Sequence, residues 1–443
     1  MFSRRAVHAQ DRFTESETLW REEVKGRQKT FGNEDTSTLN STGWVAATLF
    51  KQGRYAESET FRREQWIGRQ KVIGETHDET LTALFWLARC CYEQKKYTEC
   101  RSLWREEIEK RKEIDGKPNK DKLDASFWLA RSFFDENQYK EAEEIWREEL
   151  AGRRELKGEH DSDTLDALHW LARSIHAQNR YEESEALWTQ DLAARRKVYG
   201  DRGPSTMNAM GWLSATLFEQ KKYPEAEELR REQLILRREV FGNLDSNTMN
   251  AMFSFAMVAF KQNRYEEAEK QWREELGYRR QVHGDRHTDT LDAMHWLGRA
   301  LYEQEKYDEP GALWKEEVEG RKEVEGAEHA DTLRAIEWLE KLDAKQREDA
   351  VLDGPILDAE DRSASPESTH NHQAQADDSQ PSSPPPAPPV PQESHPPQTP
   401  QISPVLQTLS VSPPPRTPSP SPWLQRLQQS GKKGLGRISR VLP

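Results

Sequence analysis

The sequence predicts an all-α fold in which helix pairs stack into a solenoid. Three observations carry that expectation. Residue types recur at a step of 42 along most of the 443-residue chain. Apolar residues fall at helical spacing, and no stretch alternates as a strand does. Hydrophobic residues make up 34% and charged residues 32%. That is thin for one round core, but enough for a narrow apolar stripe in each stacked unit.

The glycines set the period: Gly32, Gly74, Gly116, Gly158, Gly200, Gly242, Gly284 and Gly326 are each 42 apart. The same step links Tyr55, Tyr97, Tyr139, Tyr181, Tyr223, Tyr265 and Tyr307, with Phe13 at the head. It links Trp44, Trp86, Trp128, Trp170, Trp212, Trp296 and Trp338, with Ser254 the exception. It also links an arginine column from Arg27 to Arg321. A fixed period of this length marks an array of supersecondary units.

The columns assign the elements in order. A lead occupies residues 1–10, and an array covers 11–346. The array opens on a second-type helix at about 11–30, continues through seven helix pairs, and closes on a first-type helix at about 330–346. In a first-type helix, Leu165, Leu168, Leu171, Ala172 and Ile175 keep one apolar stripe. Asp35, Asn119, Asp161 and Asp245 share the N-cap column, and Pro204 falls at a first helical position, where a missing N–H costs nothing. Glu79, Asp121, Asp163 and Asp289 follow near the positive helix end. In a second-type helix the stripe reads Tyr181, Ser184, Trp188, Leu192 and Val198, and the repeated glycine ends it behind a basic last turn. Pro310 lies in the first turn of the last such helix, where it is tolerated. The closing helix turns polar, as a cap should.

A small residue three places after the tyrosine (Ser58, Cys100, Ala142, Ser184, Ala226, Ala268) precedes an aromatic four places later (Trp104, Trp146, Trp188, Trp272, Trp314). With "WLAR" and "NRYEEAE", this pattern resembles the tetratricopeptide repeat. The 42-residue unit with its long second helix and terminal "R…VxG" is similar to the kinesin light chain type. The resemblance implies a tetratricopeptide-type right-handed superhelical solenoid of antiparallel helix pairs. It implies first helices lining a concave groove that binds partner peptides. Kinesin light chains place a motor-binding heptad coiled coil before their repeats, and about ten residues precede the first helix here. The family's groove asparagines are replaced by Phe85-Trp86, Phe127-Trp128, His169-Trp170 and His295-Trp296, so those peptide contacts do not carry over. Similar arrays form the sensor arm of signalling NTPases, and a start on a second-type helix fits a piece of such an arm. No GxxxxGK[ST] loop is present in this sequence.

On a helical wheel Asp166, Trp170, Arg173 and Ala177 lie opposite the apolar stripe. The expected groove therefore carries Trp86, Trp128, Trp170, Trp212 and Trp296, with Arg89, Arg131, Arg173 and Arg299 one turn on. Trp and Arg together can hold a peptide by stacking and carboxylate pairing. The other reading is that each tryptophan packs against the next unit. Asp124, Asp166 and Asp292 stand seven residues before Arg131, Arg173 and Arg299, and where the Arg is replaced the column holds Asn40, Asn208 and Asn250. The joint loss predicts Asp–Arg pairs. It also marks a less charged window at Gly211, Ala215, Phe253, Ser254 and Met257, suited to an apolar peptide anchor or explained by plain repeat divergence. The Arg27–Arg321 column sits beside the second helix's apolar stripe and is expected to pair with glutamates.

A net charge of −13 argues against a nucleic-acid partner. Cys90, Cys91 and Cys100 have no CxxC spacing and read as buried thiols in a reducing, cytoplasmic setting. No run is long and apolar enough to span a bilayer. HExxH, GxSxG and GxGxxG motifs are absent, so no enzyme, cofactor or metal is expected. His160, His287 and His329 sit at helix starts and read as caps or solvent-facing side chains.

Residues 347–422 form a Pro/Ser-rich tail expected to be disordered, with prolines suited to SH3 or WW domains. Eight of its serines and threonines precede proline, among them Ser365, Thr399 and Thr417, and suit proline-directed kinases. Residues 423–443 form a basic amphipathic end that could meet the acidic array, a partner or an anionic membrane. The function expected is a non-catalytic scaffold or adaptor binding partner peptides. The alternatives are a sensor arm of a signalling NTPase and a motor adaptor.

Overall fold

The computed structural model describes residues 12–114 and 118–352. The lead, Gly116, and the tail from residue 353 onward lie outside the described residues, and with them the expectations placed there. The described residues form sixteen α-helices and no strand. Helix α1 (Phe13–Phe31) opens the array. Seven pairs follow: α2 (Thr36–Lys51) with α3 (Tyr55–Ile73), α4 (Asp78–Glu93) with α5 (Tyr97–Ile114), α6 (Lys120–Asp135) with α7 (Tyr139–Lys157), and α8 (Ser162–Ala177) with α9 (Tyr181–Tyr199). Then come α10 (Pro204–Glu219) with α11 (Tyr223–Phe241), α12 (Ser246–Lys261) with α13 (Tyr265–His283), and α14 (Thr288–Tyr302) with α15 (Asp308–Val324). Helix α16 (Ala330–Leu352) closes the series. From α1 to α15 each helix packs chiefly on its neighbours in sequence, the contact pattern of a solenoid. One compact unit ends at Ala344 and a second begins at Lys345.

The boundaries follow from local chemistry. Asp35, Asn119, Asp161 and Asp245 each accept a hydrogen bond from a backbone N–H of the first turn. His77 and His287 fill the same column and cap with Nδ1, accepting from Glu79 N at 3.2 Å and Asp289 N at 3.1 Å. His329 does so for Asp331 N at 3.3 Å. His160 is no cap: its Nε2 lies 3.0 Å from Lys197 Nζ. The long helices end on glycines with φ between 71° and 97°, where a side chain would be strained. Pro310 moves the start of α15 one residue past the tyrosine column, to Asp308.

Ser58, Cys100, Ala142, Ser184, Ala226 and Ala268 are fully buried, so the two helices of a pair meet at a small side chain. Ser58 Oγ donates to Ala46 O at 2.7 Å, and Ser184 Oγ to Ala172 O at 3.0 Å. The first-helix stripe Leu165, Leu168, Leu171, Ala172 and Ile175 is buried as expected. The second-helix stripe needs one correction: Val198 is exposed, and Arg195 occupies the buried place instead. First helices are buried on most of their circumference, since each is covered by helices on both sides. In α8 eleven residues are buried, Trp170 and Arg173 among them.

Candidate functional site

Most tryptophans of the first helices pack against a second tryptophan column, in the helix before, 24 residues upstream, three pairs stacked and two tilted. Ring centroids lie 5.4 Å apart for Trp20–Trp44, 5.5 Å for Trp146–Trp170, 5.6 Å for Trp188–Trp212, and 5.7 Å for both Trp272–Trp296 and Trp314–Trp338. Trp104 and Trp128 both meet the ring of Tyr92. Where the upstream tryptophan is replaced by Arg62, the guanidinium lies over Trp86 at 5.6 Å. At the second such replacement, Arg230, the downstream column holds Ser254, the one gap in the tryptophans.

A first-helix guanidinium also covers the indole of the following repeat. Arg89 lies over Trp128 at 3.3 Å, Arg131 over Trp170 at 3.8 Å, Arg173 over Trp212 at 4.8 Å and Arg299 over Trp338 at 4.2 Å. The expected Trp–Arg strip therefore exists, and it joins neighbouring repeats by stacking and cation–π contact. Trp170, Trp212, Arg89, Arg131 and Arg173 are buried, while Trp86, Trp128, Trp296 and Arg299 are half-buried. Gly211, Ala215, Phe253 and Met257 are buried, so the less charged window is packed interior in this structure.

The predicted Asp–Arg pairs are replaced by others. Asp124 and Asp166 bind Arg153 Nη2 and Arg195 Nη2, at 2.7 Å and 3.2 Å, and Asp292 binds Arg321. The asparagines that stand in for aspartate are recruited in the same way, Asn208 by Arg237 at 2.6 Å and Asn250 by Arg279 at 2.8 Å. The long-helix arginine column reaches back across its own pair, and a 29-residue separation brings the partners together. Arg89 and Arg131 instead use the carboxylate four residues on, Glu93 at 2.6 Å and Asp135 at 3.1 Å. Joint loss correctly marked a related pair of columns but misassigned their contact.

The arginine column also pairs along its own helix, as expected. Arg111 binds Glu107 at 3.0 Å, Arg153 binds Glu149 at 2.7 Å, Arg195 binds Asp191 at 2.8 Å and Arg321 binds Glu317 at 2.7 Å. These carboxylates are fully buried, and burial pushes Glu107 and Glu149 up to about 8. In two repeats Gln65 and Gln233 replace the acid; Gln65 Oε1 accepts from Arg62 at 3.0 Å and Gln233 Oε1 from Arg230 at 2.9 Å. Their amides donate to Leu39 O and Met207 O. A Cβ at Gly43 or Gly211 would sit 2.3 Å or 2.7 Å from the amide nitrogen. Gly211 thus leaves room for the Gln233 amide, a reason that the charge pattern did not reveal. The signal was in the sequence, since glycine precedes tryptophan in both glutamine repeats: Gly43 with Gln65, Gly211 with Gln233.

Among the described residues two clusters have the donor types of a metal site: Glu59, Cys91 and Glu99, and Glu325, His329 and Asp331. Glu59 is already occupied by Arg63, Gln94 and Lys96, and Asp331 by Arg334. Cys90, Cys91 and Cys100 are free and buried. Burial pushes the Cys91 thiol well above its ordinary range and Cys100 up to about 12, which disfavours the thiolate form. No described helix is long and apolar enough to cross a membrane.

The fold and this interior define a helical-repeat protein. The family model for the tetratricopeptide repeat matches residues 163–232, 205–276 and 247–310. Residues 163–310 of the array are thus matched as tetratricopeptide repeats. A solved protein from Podosopora anserina, described by kinesin light chain nearly identical TPR-like repeats, is similar at 20% identity; the match covers 46% of this chain and 96% of that one, with a TM-score of 0.43. BtubC (BKLC) from P. vanneervenii is similar at 15% identity, with 52% and 92% covered and a TM-score of 0.45. A signal transduction ATPase with numerous domains and a tetratricopeptide repeat sensor, from Pyrococcus horikoshii, is similar at 14% identity, with 76% and 51% covered and a TM-score of 0.47. No curated protein matches the chain.

Proposed function

We propose that the array is a non-catalytic cytoplasmic scaffold that binds a peptide segment of a protein partner along its first helices. The observation that supports this reading is the Trp–Arg stack recurring on the first helices, half-open to solvent at Trp86, Trp128 and Trp296. An extended peptide can lay apolar side chains on these indole edges and carboxylates near the guanidinium column. The prolines of residues 353–422 are proposed as SH3 or WW ligands on composition, and residues 423–443 as a basic docking end.

The test compares the full chain with Trp128→Ala in capturing partners from a lysate, with circular dichroism as control. Trp128 is half-buried, so its truncation is expected to cut partner recovery at least tenfold while helicity is retained. Unchanged recovery of the same partners with Trp128→Ala would sink the groove reading.

A further inference from the structure

Arg173 is the one first-helix arginine of its column without a carboxylate four residues on. Arg89 has Glu93 at 2.6 Å, Arg131 has Asp135 at 3.1 Å and Arg299 has Glu303 at 3.7 Å. Arg173 has Ala177. The side chain is 2% exposed, and Nε, Nη1 and Nη2 are all buried without a hydrogen-bond partner among the described residues. Its surroundings are aromatic: Trp170 at 4.2 Å, Trp212 at 4.8 Å and Phe134 at 5.2 Å. The charged groups that act on it are Arg131 and Asp135. Asp135 is already taken by Arg131 and by the Tyr92 hydroxyl. The place therefore holds one uncompensated positive charge. Ring faces recover only part of the hydration that a guanidinium loses on burial.

We propose that Arg173 forms an anion site for a carboxylate from outside the array. The carboxylate sits beside Ala177, where the sister repeats carry Glu93, Asp135 and Glu303 as their own. A fork of N–H donors between indole rings suits a carboxylate's paired oxygens. That the carboxylate belongs to an acidic side chain of a bound peptide rests on the scaffold reading; the site itself does not. The two first helices that follow, with Ala215 and Met257 in the arginine column, add no charge, and Arg131 on the preceding one is paired with Asp135, so recognition here is of one acid among apolar groups.

The experiment uses thermal melts of the full chain in sodium acetate and in sodium chloride at equal ionic strength, for the natural sequence, Ala177→Glu and Ala177→Gln. The glutamate variant should raise Tm by about 2 °C or more and should lose any preference for acetate. The glutamine variant, equal in size, should keep the natural sequence's acetate response. Blocked peptides carrying one Glu or one Gln between leucines are then added. Stabilisation by the Glu peptide alone assigns the site to a peptide, and stabilisation by acetate without either peptide assigns it to a free small carboxylate. Equal melting of the Glu and Gln variants, or no acetate response by the natural sequence, overturns the proposal. Such a result alongside partner capture still lost in Trp128→Ala would remove this site and leave the scaffold reading standing.

Discussion

At the scale of single residues, many of the buried charged and polar side chains of this array have dedicated partners, and Arg173 does not. His176 shows what happens where a repeat departs from its column. The other six repeats place Phe50, Tyr92, Phe134, Phe218, Phe260 and Tyr302 there. His176 is 1% exposed, its Nδ1 lies 3.0 Å from Thr216 Oγ1, and its ring packs on Tyr181 and Trp212. Burial pushes it from 6.5 down to about 4. The unfolded chain takes up a proton that the folded site refuses. The contribution to stability is therefore present above about pH 6.5 and is lost as pH falls towards 4, by up to about 3 kcal/mol. His169, also lowered to about 4, acts with the same sign. His176→Phe restores the column residue, and denaturant titrations from pH 7 to 4 should show a shallower loss of stability than the natural sequence. An unchanged slope would mean that the folded ring accepts the proton.

At the scale of helices, adjacent repeats are tied by an amide–carboxylate contact that recurs with one reversal. Gln94 donates to Glu59 at 2.8 Å, Gln178 to Glu143 at 2.5 Å, Gln220 to Glu185 at 2.6 Å and Gln262 to Glu227 at 2.9 Å. At the junction of α5 and α6 the acid is on the other side: Glu136 binds Arg101 Nη2 at 2.6 Å. Arg101 also donates to Ser132 Oγ at 3.1 Å and to Ser132 O at 2.7 Å, and is buried. Two substitutions together keep the helices joined where one would not. Arg101→Glu alone faces Glu136 and should cost more than about 2 kcal/mol, because a buried acid is left against a like charge. Arg101→Glu with Glu136→Gln recreates the contact of the other repeats and should recover at least about 1 kcal/mol of that loss. Urea unfolding of the four proteins of the cycle measures it, and simple additivity would show that the reversal carries no coupling.

At the scale of the molecule, each helix depends on its neighbours in sequence, so stability sums over repeats and interfaces. Removing residues 162–203, one whole 42-residue period, joins Asp161 to Pro204 and brings Trp212 to the place of Trp170 against Trp146. That deletion should leave a shorter folded array, with unchanged mean residue ellipticity and cooperative melting. Removing residues 162–182, half a period, places two second-type surfaces in contact and should abolish cooperative melting. Equal behaviour of the two deletions would show that the period does not set the packing.

Helix number, helix type and the N-cap and C-cap residues were legible in the amino-acid order, because caps, glycines and apolar spacing act within a few residues. So was the tryptophan strip. Its 24-residue partner column, the Arg–Asp contact at 29 residues and the Gly211–Gln233 fit were not foreseen, because they join helices whose relative rotation no local pattern specifies. Arg173 belongs to both levels. Its missing acid is written at Ala177, but burial of all three guanidinium nitrogens arises only when the helices on either side close over it.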